Sequence, residues 1–116
     1  MEPNVGDYEA PEFPDSAHCE GFRATIELIG KKWTGAILRT LFAGCSRFTE
    51  ISEAVPGLSN RLLSERLDEL KAAGLVVSNG DPRPFYSLTE KGRDLRDVLA
   101  DVDAWNQRWL DPETLS

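Results

Sequence analysis

The sequence predicts a mainly α-helical fold that carries one two-stranded β-hairpin in its second half. Three observations support this class. Apolar residues recur at helical spacing through most of the chain, a Pro56-Gly57 turn separates two short helices, and two short apolar runs flank the turn-forming residues 79–84. With 116 residues, the chain is long enough for one domain with one modest core.

Five helices are expected in order along the chain. The first has an apolar stripe, is capped by Asp15 or Ser16 and ends at Gly30. The second runs from about Lys32 to Ala43, the third from its cap Thr49 to Val55, the fourth from its cap Ser59 to Ala73, and the last begins after Thr89. The apolar positions, in helix order, are Cys19, Phe22, Ile26 and Ile29; Trp33, Ile37, Leu38, Leu41 and Phe42; Phe48, Ile51 and Val55; Leu63, Leu67 and Leu70; and Leu95, Val98, Leu99, Val102, Trp105 and Trp109.

The third and fourth helices, joined by a tight glycine-containing turn, form a predicted helix-turn-helix. Directly after it, Leu75–Ser78 and Phe85–Leu88 are the expected strands of a hairpin, because Asn-Gly and Asp-Pro between them favour a turn. A hairpin at this point is a wing. The full expectation is a winged helix-turn-helix over residues 18–110, comprising helices 1–4, the hairpin and a C-terminal dimerisation helix, between an acidic, disordered tail at 1–17 and a short tail at 111–116.

Charge is distributed unevenly along the chain. The formal net charge is −7, yet residues 1–17 contain acids and no Lys or Arg, and residues 94–116 are also acidic in balance. The middle, residues 18–93, has a small excess of basic residues. Contact with nucleic acid needs a basic face locally rather than a basic chain, so this distribution permits DNA binding.

Several classes of protein are disfavoured by composition. With two cysteines and one histidine, the chain lacks the residues for a structural zinc site, a disulfide framework or a nucleophile-and-base pair, so we expect no enzyme activity, metal or cofactor. No run approaches the roughly 20 apolar residues of a membrane span, and the acidic N-terminus is unlike a signal peptide. The expected location is cytoplasmic.

Several motifs together resemble the HxlR-type regulators, which are related to the MarR group. They are Leu28-Ile29-Gly30-Lys31-Lys32-Trp33, Ile37-Leu38-Arg39, Arg47-Phe48-Thr49-Glu50-Ile51, Pro56-Gly57-Leu58-Ser59, Leu63, Leu67-Asp68-Glu69-Leu70, Gly74-Leu75-Val76 and Tyr86-Ser87-Leu88-Thr89-Glu90-Lys91-Gly92. The resemblance covers about Cys19 to Trp109 and implies a bacterial, homodimeric, winged-helix transcription regulator, often responsive to electrophiles or oxidants through a cysteine near the first helix. The hairpin is shorter than is usual in the family, and its first strand ends in Ser78 instead of a basic residue.

DNA readout is expected from the start of the fourth helix, in the major groove. Arg61 suits guanine, Asn60 suits adenine, Glu65 suits the cytosine amino group and Ser64 reaches a base or a phosphate, while the helix start at Ser59 offers N–H groups to a phosphate. Arg66 is also a candidate, although its stem would cover the neighbouring apolar face. Supporting phosphate contacts are expected from Lys31, Lys32, Arg47 and Arg83; for every residue the alternative is a solvated surface position.

Cys19 occupies the position that the resemblance assigns to a sensing cysteine. The alternative is a small buried cysteine, because it shares an apolar stripe with Phe22 and Ile26. Cys45, in the polar loop Gly44-Cys45-Ser46, is expected to be exposed and is a weaker candidate for a disulfide partner.

A helix-turn-helix monomer contacts one half-site, so palindromic recognition requires two copies. The dimer interface is expected from the first and last helices, through Phe22, Ile26, Val98, Val102, Trp105 and Trp109. Alternatively, the two tryptophans of the last helix cover the base of the wing. Two other functions stay open: a winged-helix protein-interaction module without sequence-specific DNA binding, and a regulator with a small ligand in a dimer-interface pocket lined by aromatic residues such as Trp33 and Trp105.

Overall fold

The computed structural model describes residues 16–80 and 82–110. Its elements are α1 (Ser16–Ile29), α2 (Thr34–Phe42), α3 (Phe48–Ala54), α4 (Asn60–Ala72), β1 (Val76–Asn79), β2 (Phe85–Leu88) and α5 (Glu90–Trp109). This order confirms the mainly α fold with a two-stranded wing.

The chain forms two compact units, and the boundary in the sequence lies between Lys31 and Lys32. The helix α1 belongs to the first unit, and all later elements belong to the second. Ser16 is the first residue of α1 and not its cap, so Ser16 and Ala17 are helical although they were expected in the tail. The other expected tail residues, 1–15 and 111–116, and the alternative cap Asp15 lie outside the described residues.

The helix α2 begins two residues later than expected, because Trp33 adopts a left-handed conformation. Its φ of 79° makes it the one non-glycine residue with a positive φ in the described part of the chain. A right-handed helix cannot include such a residue, so Trp33 is the N-cap and Thr34 starts the helix. The inward side is as predicted for Ile37, Leu38 and Leu41, which are buried, whereas Trp33 and Phe42 are only half-buried.

The helix α3 starts at Phe48, so the expected cap Thr49 lies inside the helix. A carboxylate oxygen of Glu50 accepts hydrogen bonds from the backbone N–H groups of Ser46 (2.9 Å) and Arg47 (3.0 Å). The carboxylate thus satisfies N–H groups at the helix start, and the cap lies at Arg47, two residues before the expected cap Thr49. The same two hydrogen bonds, from Arg47 and then Ser46, lower the pKa of Glu50 below its ordinary value of 4.5.

The helix α4 has the predicted N-cap and the predicted buried side, and it ends at Ala72, one residue before the expected Ala73. The hydroxyl of Ser59 accepts a hydrogen bond from the Leu62 N–H at 3.1 Å, which confirms Ser59 as the N-cap. The chain leaves the helix through Gly74, which has a φ of 79°. The core of the second unit consists of Ile37, Leu38, Leu41, Ile51, Val55, Leu58, Leu63, Leu67, Leu70, Leu75 and Val76.

The wing pairs β1 with β2 in antiparallel register, from Val76 opposite Leu88 to Asn79 opposite Phe85. The first strand therefore starts and ends one residue later than expected. The predicted cap of α5 is confirmed, since Thr89 Oγ1 accepts a hydrogen bond from the Gly92 N–H at 3.0 Å. The same hydroxyl donates to the carbonyl of Gly74 at 2.6 Å, which joins the end of α4 to the start of α5.

Candidate DNA-binding interface

The exposed side of α4 carries the residues expected to read DNA. Leu63, Leu67 and Leu70 on the opposite side are at most 1% exposed, so the helix cannot rotate without losing its core contacts. Arg61, by contrast, has a side chain that is 91% exposed. Ser59, Asn60, Ser64 and Glu65 are exposed as well. The arrangement presents a polar helix start to the solvent.

Each cation on α4 is paired with an acid of the same helix. Arg61 Nε lies 3.4 Å from Glu65 Oε2, Arg66 Nη1 lies 3.2 Å from Glu69 Oε2, and Lys71 Nζ lies 3.8 Å from Asp68 Oδ1. The helix therefore carries no net charge of its own. Because Arg61 and Glu65 are both exposed, their pair is weak, and a DNA base or phosphate can compete for the guanidinium.

Asn60 is held against the preceding helix. The hydroxyl of Ser52, on α3, donates to Asn60 Oδ1 at 3.1 Å. This hydrogen bond uses only the amide oxygen of Asn60, so its NH₂ group can donate to another partner. Sequence patterns singled out Asn60 but missed Ser52, since the contact depends on how α3 and α4 cross.

Arg66 has a different environment from Arg61. Its side chain is only 15% exposed, and its Nε donates to the carbonyl of Lys32 at 3.0 Å. With Glu69 on its other side, Arg66 joins α4 to the residues that precede α2. This arrangement favours a structural role, as the neighbouring apolar face had suggested.

Trp33 lies beside the turn of the helix-turn-helix. A Cβ added at Gly57 would be 3.7 Å from Trp33 Cη2, so the indole covers this turn. Lys32 Nζ lies 5.5 Å from the centroid of the same ring, within cation–π range, and remains exposed. The segment before α2 thus places Lys32 close to the turn between α3 and α4. Lys31 is exposed and belongs to the first unit.

Arg47 holds the loop end of the wing. Its Nη1 donates to the carbonyl of Arg83 at 2.6 Å, and its guanidinium carbon lies 5.0 Å from the centroid of the Phe85 ring. The backbone adds a bridge between Arg47 and Phe85 and a hydrogen bond from the Tyr86 N–H to the carbonyl of Ser46 at 2.7 Å. The segment before α3 therefore extends the wing on the free side of β2. Arg83 itself is exposed on the wing loop.

Each cysteine differs in its exposure from one expectation stated for it. Cys19 is exposed on α1, so the interpretation as a small buried cysteine is wrong for the isolated chain. Cys45 is half-buried, where full exposure was expected. Its backbone N–H donates to the carbonyl of Thr40 at 3.0 Å, which holds the loop against the end of α2.

Two helices leave large apolar side chains in the solvent. On α1, Phe22 is 67% and Ile26 49% exposed. On α5 the exposed apolar side chains are Val98, Val102, Trp105 and Trp109. The last two are 56% and 71% exposed, which excludes the alternative that they cover the wing base.

A shallow, mainly apolar groove on α5 is lined by Val98, Asp101, Val102 and Trp105. Trp33 is not among these residues; it lies at the helix-turn-helix turn instead.

These features, an apolar-backed helix with a polar start, a turn covered by an indole and a directly following wing, coincide with a known sequence profile. The profile described as HxlR-like helix-turn-helix matches residues 28–114. The chain belongs to this family. In Bacillus subtilis strain 168, the HTH-type transcriptional regulator YvaP is 39% identical over 104 residues, covering 86% of this chain and 96% of YvaP. YodB, an HTH-type transcriptional regulator of the same organism, is 36% identical over 98 residues, covering 81% of this chain and 88% of YodB.

Solved structures of the family share the fold. The reduced form of B. subtilis YodB has a TM-score of 0.74 and 36% identity, covering 81% of this HxlR-like chain and 96% of the YodB chain. YodB has also been solved in diamide-treated and quinone-bound forms, with TM-scores of 0.69 and 0.72. The redox regulator HypR in its reduced form has a TM-score of 0.71 and 30% identity, covering 83% of this chain and 99% of HypR.

This HxlR-like chain is thus a helix-turn-helix transcriptional regulator. Its relatives are regulators, and the comparisons indicate no catalytic function. Among the described residues, no helix is both long and apolar enough to span a membrane.

Proposed function

We propose that the chain is a homodimeric transcriptional repressor that reads a palindromic operator in double-stranded DNA with α4. The observation that carries this proposal is the helix start, where Ser59 is the cap and Asn60, Arg61 and Ser64 face the solvent above a buried apolar side. Membership of a helix-turn-helix regulator family supports it.

In this proposal α4 supplies the base contacts. Arg61 forks onto guanine O6 and N7, which requires it to leave Glu65. Asn60 donates its NH₂ to adenine N7 and shares its amide oxygen between Ser52 and the adenine amino group. Glu65 accepts from a cytosine amino group, Ser64 bonds a base or a phosphate, and the N–H groups at the helix start face a phosphate.

In this proposal, phosphate contacts come from basic residues that lie outside α4. Lys32 is exposed near the helix-turn-helix turn, Arg83 is exposed on the wing loop, and Lys31 is exposed in the first unit. Arg47 donates one N–H to the Arg83 carbonyl of the wing, and its other N–H groups are proposed to contact a phosphate. Arg66 contributes by fixing the segment at Lys32 and not through a contact of its own.

The dimer is proposed to form through the exposed apolar side chains of α1 and α5. Trp105 and Trp109 are rigid aromatic residues of the kind that supply much of the binding energy in protein interfaces. Two copies would place two α4 helices on successive major-groove faces, one helical turn of DNA apart.

The proposal is tested by binding-site selection on random DNA, followed by affinity measurements with Arg61→Ala on the selected site. We expect a two-fold symmetric site and a loss of about 1–3 kcal/mol of specific binding for Arg61→Ala, with little change on random DNA. Failure to enrich any symmetric sequence would overturn the proposal, and an unchanged affinity of Arg61→Ala would overturn the role of that residue.

We further propose that an oxidant or electrophile controls DNA binding through Cys19. The thiol is exposed on α1, whose apolar side chains are proposed to join the dimer, so modification there would alter the dimer itself. YodB, a similar protein, is known in diamide-treated and quinone-bound forms. Diamide is expected to change operator affinity in the wild type and not in Cys19→Ser; an equal response in the variant would contradict this role, and Cys45→Ser is the matched control.

A protein-interaction module is the second candidate, favoured by the balanced charge of α4. Phosphate contacts release counterions and therefore impose a steep salt dependence on binding to random DNA. Measuring the affinity for random DNA between about 50 and 200 mM salt, where this effect is large, distinguishes the two candidate functions. A steep fall in affinity supports DNA binding, and no measurable binding at the lower salt concentration supports the protein-interaction module.

A further inference from the structure

The start of α5 is fixed to the core of the second unit by close contacts. A Cβ added at Gly92 would lie 2.1 Å from the carbonyl oxygen of Leu75, so the helix backbone rests directly on the chain that enters the hairpin. Lys91 Nζ donates to the carbonyl of Ala73 at 2.8 Å. These contacts define where α5 begins, and its direction depends on contacts further along.

Two contacts further along α5 both reach α2. Arg96 Nη2 donates to the carbonyl of Phe42 at 3.3 Å, and its guanidinium carbon lies 5.7 Å from the centroid of the Phe42 ring. Two turns later, Asp103 forms an ion pair and hydrogen bond with Arg39. Because α2 is anchored in the core through Ile37 and Leu38, these contacts determine the angle at which α5 leaves the domain.

The length of α5 makes that angle matter. An α-helix rises about 1.5 Å per residue, so Trp109 lies about 26 Å beyond Gly92. A rotation of about 10° at Gly92 then moves Trp109 by about 4–5 Å. This displacement exceeds the roughly 3.4 Å between successive base pairs along DNA.

We propose that the ion pair between Arg39 and Asp103, with Arg96 on Phe42, fixes the half-site spacing that the regulator accepts. The inference rests on the proposed function, in which two copies join through α5 and each inserts α4 into the major groove. Arg39 and Asp103 are positioning residues: they hold α5 against α2 and thereby set the separation of the two recognition helices. Both side chains are about half exposed, so their pairing is adjustable by substitution without opening the core.

The experiment uses the full chain and a set of DNA sites that carry the selected half-sites with the spacer changed by one base pair at a time. We compare the wild type with Asp103→Asn, Arg39→Gln and the charge-swapped pair Arg39→Asp with Asp103→Arg. The wild type is expected to prefer one spacing. Each single variant is expected to lower that preference about two- to fivefold, the size that fits an exposed ion pair, and the swapped pair is expected to restore it.

Two controls separate spacing from other effects. Asp97→Asn removes the same charge from the same helix at a residue without an ion pair to the described residues, and it should keep the wild-type preference. Affinity for a single half-site and the mass by light scattering should be unchanged in every variant.

The outcomes distinguish this inference from the proposed function. If the wild type selects no two-fold symmetric DNA, both are overturned. If it does and Asp103→Asn keeps the full spacing preference, or if the variant becomes monomeric, only the present inference is overturned.

Discussion

At the scale of single residues, the ion pair between Arg61 and Glu65 affects how Arg61 would meet DNA in the proposed function. Glu65 lies one turn further along the helix and holds the guanidinium at 3.4 Å. The pair orients a long side chain, and it also removes the positive charge that would attract phosphates of any sequence. In the proposed function we therefore expect Arg61 to favour guanine, which offers two acceptors, over a single phosphate oxygen.

Replacing Glu65 by Gln tests this effect. The variant gives α4 a net positive charge, so we expect affinity for random DNA to rise about two- to fivefold at low salt, with a steeper dependence on salt concentration. Gel-shift titrations on random and selected DNA at two salt concentrations measure both quantities. Asp94→Asn, which removes the same charge from α5, should have little effect; equal gains in the two variants would show that total charge and not the pair is responsible.

Gly92 is the residue whose replacement is expected to harm stability most directly. An alanine there would place its Cβ 2.1 Å from the Leu75 carbonyl oxygen, a distance that requires the backbone to move. We expect Gly92→Ala to lower the free energy of unfolding by at least about 2 kcal/mol. Gly35→Ala, inside α2 with nothing within 4 Å of the added Cβ, should be neutral or stabilising by up to about 1 kcal/mol. Urea unfolding of both variants measures this, and similar midpoints would contradict it.

At the scale of elements, helix starts show what local sequence determines. Ser59 and Thr89 cap α4 and α5 as predicted, because a hydroxyl three residues before a free N–H is a local arrangement. The starts of α2 and α3 in the structure differ from those that the sequence predicts. The φ of Trp33 is maintained by packing over the turn at Gly57, and Glu50 reaches back to capture two N–H groups, so neither boundary follows from the propensity of the first helical residue.

The cap of α3 predicts a specific dependence of stability on pH. Since the hydrogen bonds lower the pKa of Glu50 in the folded state, its contribution is present above the unfolded value and is lost as pH falls through the folded pKa. We expect Glu50→Gln to be less stable than the wild type at pH 7 and to lose less stability between about pH 5 and 3. Urea midpoints measured across this range provide the check.

The control for that experiment is Glu53→Gln, in the same helix and outside the cap. It should keep the pH dependence of the wild type. A wild-type slope in Glu50→Gln would show that the cap does not contribute to stability.

At the scale of the whole molecule, α1 and α5 both carry large apolar side chains that are exposed in the described part of the chain. The sequence predicted both helices, but an apolar stripe does not specify whether its own chain or a second copy covers it. Likewise, the contact of Arg47 with the Arg83 carbonyl joins residues 36 positions apart, and no local pattern reveals it. Patterns therefore indicated the elements and the polar face of α4, whereas the connections between elements required the folded chain.

The exposed side chains of α5 predict the oligomeric state. We expect light scattering at micromolar concentration to give twice the 12.9 kDa mass of one chain. Trp105→Lys places a charge in the apolar groove and should shift the mass toward that of a single chain. Val77→Lys, at an exposed apolar residue of β1, is the matched control and should stay dimeric; a monomeric wild type would overturn the dimer.

The placement of the three tryptophans gives the molecule its own optical reporters. Trp33 is half-buried against the helix-turn-helix turn beside Lys32, whereas Trp105 and Trp109 are exposed on α5. Their emission should differ in wavelength and in access to a soluble quencher. Phenylalanine replacements that leave one indole at a time would let events at the recognition turn and events on the C-terminal helix be followed separately in solution, without any attached dye.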